Sequence, residues 1–163
     1  MDSTLPDRPC RILVVEDQPE VACALREALE GEGYEVDTVI DGRTALETMR
    51  RASRPDLVLL DLFMPEMDGW GFATRMRGDP ELALIPIVIM TAGGPSALAA
   101  APVSDGYMTK PIALEVLLDI LRRILSMQHT AAAVRCSADT AAGASLGSGS
   151  TTPRIPDDET TLH

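Results

Sequence analysis

The chain has 163 residues and is 45% hydrophobic, enough for one domain with a real core and a modest extra segment. Its net charge of −11 argues against direct DNA binding, since phosphates would be repelled, and no stretch reaches the ~18 apolar residues of a membrane span. Aromatic residues make up only 3%, so Val, Leu, Ile, Ala and Met must fill the interior.

Residues 1–9 form an N-terminal extension that carries Asp2 and Asp7 but no apolar h-region, so no secretory signal is expected. Cys10, Cys23 and Cys136 are odd in number and share no metal-ligand spacing, which suits a reducing cytoplasm. Cys23 is expected as a small buried thiol.

The first strand is Ile12-Leu13-Val14-Val15, apolar throughout. Gln18 to Glu30 reads as a helix with Val21, Leu25 and Leu29 on one face and Gly31 or Gly33 as its stop. Glu35 to Ile40 alternates more, as an edge strand does. Gly42 to Ala52 forms a second helix on Ala45, Leu46 and Met49, and Leu57 to Leu60 a third strand. Met67 to Arg77 is a third helix, Ile87 to Met90 a fourth strand, and Asp105 to Met108 a short fifth.

Between the last two strands, Ala92 to Ser104 leaves only Ser96 to Ala101 for a shortened fourth helix, under two turns at about 3.6 residues each. Ala113 to Ser126 is the final amphipathic helix. Leu114, Leu117, Leu118, Leu121 and Leu125 form its core stripe, and Val116, Ile120 and Ile124 widen it to an arc of about 200°. A single core contact needs a narrower stripe, so the surplus is a candidate homodimer or partner surface, unless the tail covers it.

Alternating strands and helices imply a parallel sheet covered on both faces. Strands 1, 3 and 4 read as doubly buried and 2 and 5 as edges. The expected fold is therefore α/β, a flavodoxin-like doubly wound sheet of order 2-1-3-4-5, occupying residues 10–126. From 127 to 163 the composition turns to Ala, Ser, Thr and Gly, which suggests a disordered tail, too short and polar to be an output domain.

Several polar residues stand where strands end. Glu16-Asp17 follows the first strand, Asp61 the third, Thr91 the fourth, and Lys110-Pro111 the fifth after one residue. Parallel strands bring those ends to one edge, so three carboxylates would share a pocket. Two carboxylates ~4 Å apart repel by about 4 kcal/mol at an effective dielectric of 20, so the cluster needs a cation. Mg²⁺ suits oxygen ligands and a phosphoryl group. Lys110 is the only lysine among thirteen arginines, which hints that a guanidinium would not serve there. The two histidines, His129 and His163, fall outside the alternating region, which excludes a histidine-based nucleophile site within it.

Glu16-Asp17, Asp61 with Met64-Pro65 and Asp68-Gly69, Thr91-Ala92 and Tyr107-x-x-Lys110-Pro111 together resemble the receiver domain of bacterial two-component response regulators, over about Arg11 to Ser126. The resemblance implies that Asp61 is the phosphoacceptor, taking a phosphoryl group from a sensor histidine kinase or a histidine phosphotransfer protein. Asp17 would bind Mg²⁺ directly, Glu16 more through water, and the Phe63 backbone carbonyl would complete the ligands with Asp61. Lys110 would pair with Asp61 and then with a phosphoryl oxygen, Thr91 would contact another, with Ala92 beside it, and Tyr107 would swing between exposed and buried positions. Pro65 and Gly69 would shape the turn after Asp61, and Pro111 would aim Lys110.

The implied role is a stand-alone, cytoplasmic phosphoacceptor that signals by binding a downstream target protein and turns over no substrate. Glu16 replaces the more familiar Asp, and Gly93-Gly94 leaves the hinge after Thr91 unusually free. The alternatives are a pseudo-receiver that never takes phosphate and an Asp-nucleophile phosphatase, although Phe63 stands where a phosphatase of that kind wants a second Asp. A flavodoxin-type binder is disfavoured because Glu16-Asp17 would repel a flavin phosphate.

Overall fold

The computed structural model describes residues 8–52, 54–64, 69–94 and 104–143, with side chains through Ala131. The chain divides into two compact units, Met1–His129 and Thr130–His163. The first holds a sheet of β1 (Arg11–Val15), β2 (Glu35–Val39), β3 (Leu57–Asp61), β4 (Ile87–Thr91) and β5 (Gly106–Thr109). All pairings are parallel, in the order β2-β1-β3-β4-β5. Helices α1 (Pro19–Gly31), α2 (Gly42–Arg51), α3 (Gly69–Gly78) and α4 (Leu114–Gly143) complete the described elements, and none of them is long and apolar enough to cross a membrane. The expected short helix at Ser96 to Ala101 lies outside the described residues.

The sheet has two faces because successive strand residues point opposite ways. Leu13, Val15, Val58, Leu60, Ile87 and Ile89 enter one core with Ala45, Leu46 and Met49 of α2 and Phe72, Ala73 and Met76 of α3. Ile12, Val14, Leu57, Leu59, Val88 and Met90 enter the other, with Leu25 and Leu29 of α1 and Leu117, Leu118, Leu121 and Leu125 of α4. Strands β3 and β4 are buried at every position, whereas β2 and β5 alternate. That contrast separates central strands from edges.

Sharp local signals set the helix starts. Pro19 opens α1 where its missing N–H is of no consequence. Asp41 caps α2 by accepting from the Thr44 N–H at 2.7 Å, an arrangement that stabilises by about 1 kcal/mol. At the amino edge of the sheet Arg77 donates to the carbonyls of Ala83 and Ile85 and pairs with Asp105 at 2.6 Å. The same Asp105 oxygen accepts from the Ile87 N–H at 2.9 Å, tying α3 to the entrances of β4 and β5.

Three expectations need correction. The final helix does not stop at Ser126 but runs to Gly143, so 127–143 is helical chain rather than disordered tail. Alanine is the best helix former, and that propensity outweighs the lack of large apolar residues there; residues 144–163 lie outside the described set. Leu114 is not part of the core stripe: it begins α4 and is exposed, with Val116, while Ile120 and Ile124 pack half-buried against β5. They reach it because Gly106 has no side chain, as a Cβ there would sit 3.2 Å from Ile124 and 3.3 Å from Ile120. Cys23 is exposed and Cys10 is the buried thiol, since Cys23 lies on the outer side of α1, beside buried Ala22.

Candidate functional site

The carboxyl ends of the strands gather the chemistry. Glu16 and Asp17 continue from β1, Asp61 and Thr91 are the last residues of β3 and β4, and Lys110 follows β5. Register fixes their heights: Asp61 lies opposite Met90, and Thr91 opposite Thr109. Glu16 and Thr91 are fully buried and Asp61 is 4% exposed.

Among the described residues, one carboxylate oxygen each from Glu16, Asp17 and Asp61 lies within 4.8 Å of the others. The Lys110 ammonium answers two of the three, at 2.8 Å from Glu16 Oε2 and 3.3 Å from Asp61 Oδ2. The remaining Glu16 oxygen accepts from the Gln18 N–H at 3.2 Å, and Asp61 Oδ1 from the Phe63 N–H at 3.1 Å. The Thr91 hydroxyl accepts from the Gly93 N–H at 3.0 Å, and the Lys110 N–H donates to the Thr91 carbonyl at 2.8 Å. Thr91 and Lys110 are thus joined through the backbone, and the Lys110–Pro111 peptide is cis.

Burial raises the Glu16 carboxyl above the ordinary carboxylate value, the Asp61 charge adds to the rise, and the Lys110 hydrogen bond offsets part of it. Burial alone would lower the Lys110 ammonium, but the hydrogen bond to Glu16 and the charge of Asp61 outweigh it, so the net shift is upward. Lys110 therefore carries its charge throughout the neutral range.

A divalent cation suits this donor set. Asp17 Oδ1 is buried with no hydrogen-bond partner, and an orphaned carboxylate oxygen is costly unless something positive meets it. Three carboxylates against one ammonium leave negative charge that a hard, oxygen-seeking ion would offset.

The structure brings Glu16, Asp17, Asp61, Thr91 and Lys110 together. Phe63 and Ala92 sit beside them with exposed side chains, and Phe63 contributes its backbone N–H to Asp61. Tyr107 is 57% exposed, on β5. Pro65 and Asp68 lie outside the described residues. Gly69 approaches the site more tightly than a turn residue would: a Cβ there would meet the Asp61 carbonyl oxygen at 2.7 Å. Sequence offered only its Asp-Gly setting, because the approach is a tertiary contact.

The chain matches the family model for the response regulator receiver domain over residues 12–122. It is 39% identical over 122 residues to the response regulator MprA of Mycolicibacterium vanbaalenii, covering 72% of this chain and 51% of that protein. With RpaA of Synechocystis, named a DNA-binding dual master transcriptional regulator, identity is 33% over 118 residues, covering 71% and 48%. The chain thus spans about half the length of the curated relatives it matches, and the charge-based expectation against DNA contact finds no support among them. Among solved structures, TrrA of Thermotoga maritima in complex with Mg²⁺-BeF is 31% identical with a TM-score of 0.64, covering 71% of this chain and 98% of that one. The chemotaxis protein CheY4 of Vibrio cholerae is 29% identical with a TM-score of 0.66, covering 71% and 98%.

Proposed function

The chain belongs to the response regulator receiver domain family, and from that premise we propose that Asp61 is a phosphoacceptor. The observation that carries this reading is a buried carboxylate at the end of β3 held 3.3 Å from the only lysine of the chain. The reaction would form a phosphorus–oxygen bond to the Asp61 carboxylate as the phosphorus–nitrogen bond of a phosphohistidine breaks, yielding an acyl phosphate and free histidine. The donor would be a sensor histidine kinase or a histidine phosphotransfer protein, in the cytoplasm.

Transfer of this kind depends mostly on positioning and charge neutralisation. The Phe63 N–H fixes one Asp61 oxygen, which leaves the other facing Lys110. Lys110 would follow the incoming phosphoryl oxygen, and the Thr91 hydroxyl, accepting from Gly93, keeps its proton free to donate to another. Asp17 and Asp61, with the Phe63 carbonyl and with Glu16 nearby, would hold Mg²⁺. When bound, the ion would neutralise carboxylate and phosphoryl oxygens together. Tyr107 stands ready to change exposure as the Thr91 loop moves, and a downstream protein would read that surface. Leu114 and Val116 leave α4 an exposed apolar edge for a homodimer. Gly69 and Pro111 would shape the site rather than touch phosphate. The receiver unit would cover 10–126, preceded by the extension of 1–9.

Incubation with acetyl phosphate and Mg²⁺, followed by intact mass measurement, tests this. The expected result is one added phosphoryl group on the wild type and none after Asp61→Asn or in chelator. A wild type that gains no mass supports the pseudo-receiver instead.

A further inference from the structure

Past Leu125 no described side chain of α4 enters either core, yet the helix continues to Gly143. Helices draw most of their stability from packing an apolar face, so this stretch needs a partner. The core stripe of Leu117, Leu121 and Leu125 gives way at once to Gln128 and His129. A second apolar row does not stop there. Ile120, Ile124, Met127, Ala131, Val134 and Ala138 recur at alternating steps of four and three residues, the spacing of a coiled-coil seam. Met127 is 68% exposed. Ile120 and Ile124 are half-buried and line an open groove of about 310 Å³ with Gly106 and Tyr107. All of the row but Ile120 lies past residue 122, where the match to the receiver family ends.

We infer that α4 pairs along this row, antiparallel, with α4 of a second copy of this chain. The inference rests on the α4 homodimer proposed above and gives it a definite seam, while owing nothing to phosphorylation. Side-chain size carries both the partner and the direction. The large residues stand at one end of the row and small ones at the other. Antiparallel pairing sets Ile120 against Ala138, Ile124 against Val134 and Met127 against Ala131, and a twofold axis repeats each contact. Large then faces small in every layer, which keeps the two axes evenly spaced. Parallel pairing would stack isoleucine on isoleucine and alanine on alanine, holding one end of the seam apart. Charge agrees, because Arg123 would lie across from Ser137 and Arg135 across from Leu121, so no like charges meet on either flank.

Sedimentation velocity of the full chain at about 1 to 300 μM, a range that spans a micromolar Kd, should show a monomer–dimer equilibrium. Val134→Asp should weaken it at least about tenfold, since the dimer would bury two unpaired carboxylates. A dimer that survives Val134→Asp overturns the inference. If that dimer is lost in Val116→Asp instead, the homodimer at the Leu114 and Val116 edge stands without this seam. A wild type that stays monomeric throughout removes both.

Disulfide cross-linking reads the direction, and it does not depend on a disruptive substitution. The background is Cys23→Ser with Cys136→Ser, which leaves buried Cys10 as the remaining thiol. An equimolar mixture of Ile124→Cys and Val134→Cys chains should form the mixed disulfide, resolved by intact mass. Neither chain should link to itself, since like positions would lie about 15 Å apart along the axis, beyond disulfide reach. Self-linked Val134→Cys indicates parallel pairing and contradicts the inference.

Discussion

Replacing Gly69 by alanine adds one methyl where the structure has no space for it. The Cβ would lie 2.7 Å from the Asp61 carbonyl oxygen, 2.8 Å from Leu62 Cα and 3.1 Å from Leu62 Cδ2. The two nearest atoms are backbone, so relief requires α3 to shift against the end of β3. Overpacking of this sort costs about 1–3 kcal/mol. Alanine is favoured over glycine inside a helix by about 1 kcal/mol, but Gly69 is the first residue of α3, where little of that gain is realised. The expected net loss is about 1–2 kcal/mol, a fall in Tm of roughly 3–10 °C for a domain of this size. Gly31→Ala is the matched control, since nothing lies within 4 Å of its Cβ position. Paired urea and thermal unfolding in chelator would measure both. Gly69→Ala as stable as wild type, or more so, would refute the argument. Because the displaced atom belongs to Asp61, the variant should also take phosphate from acetyl phosphate more slowly.

Lys110→Met leaves Glu16 and Asp61 buried without their cation, and losing one partner of a buried pair costs about 3–5 kcal/mol. Lys110 is 20% exposed, so solvent should trim this to about 2–4 kcal/mol in chelator, with recovery on adding Mg²⁺; equal stability in chelator would count against it. The raised Glu16 carboxyl binds its proton more tightly folded than unfolded. Metal-free protein should therefore gain stability as pH falls from neutral toward the ordinary carboxylate range, and lose that gain as pH rises through the folded value; the effect should vanish in Glu16→Gln. Mg²⁺ affinity should run the opposite way, weakening with acid. The raised Lys110 ammonium contributes stability below the ordinary lysine value that disappears only in stronger alkali, as its folded value is passed. Asp105→Ala strips the Ile87 N–H and Arg77 of a shared acceptor and should cost about 1–2 kcal/mol by urea unfolding. It lies at the opposite edge of the sheet, so acetyl-phosphate labelling of the folded variant should be unchanged.

The strands were legible in the sequence because doubly buried parallel strands are written as unbroken apolar runs, and edges as alternation. The site was legible because its polar residues follow those runs directly, so topology alone brings Glu16, Asp17, Asp61, Thr91 and Lys110 to one edge. What sequence could not rank were distances within the pocket. That Lys110 leans to Glu16, that Asp17 Oδ1 stands unpartnered and that Gly69 abuts Asp61 are products of packing between elements distant in the chain. The length of α4 was misjudged because a search for apolar periodicity ignores alanine propensity. The link between Arg77 and Asp105 carries no local signal at all, only a charge on each of two separate segments.

The central claim is that Asp61 itself takes the phosphoryl group, and locating that group chemically tests it most directly. Borohydride reduces an aspartyl acyl phosphate to homoserine, so acetyl-phosphate-treated protein can be reduced, digested and sequenced by mass spectrometry. The account predicts homoserine at position 61 and at no other carboxylate, dependent on Mg²⁺. Homoserine at position 17, or an unreduced chain after full incubation, would contradict it.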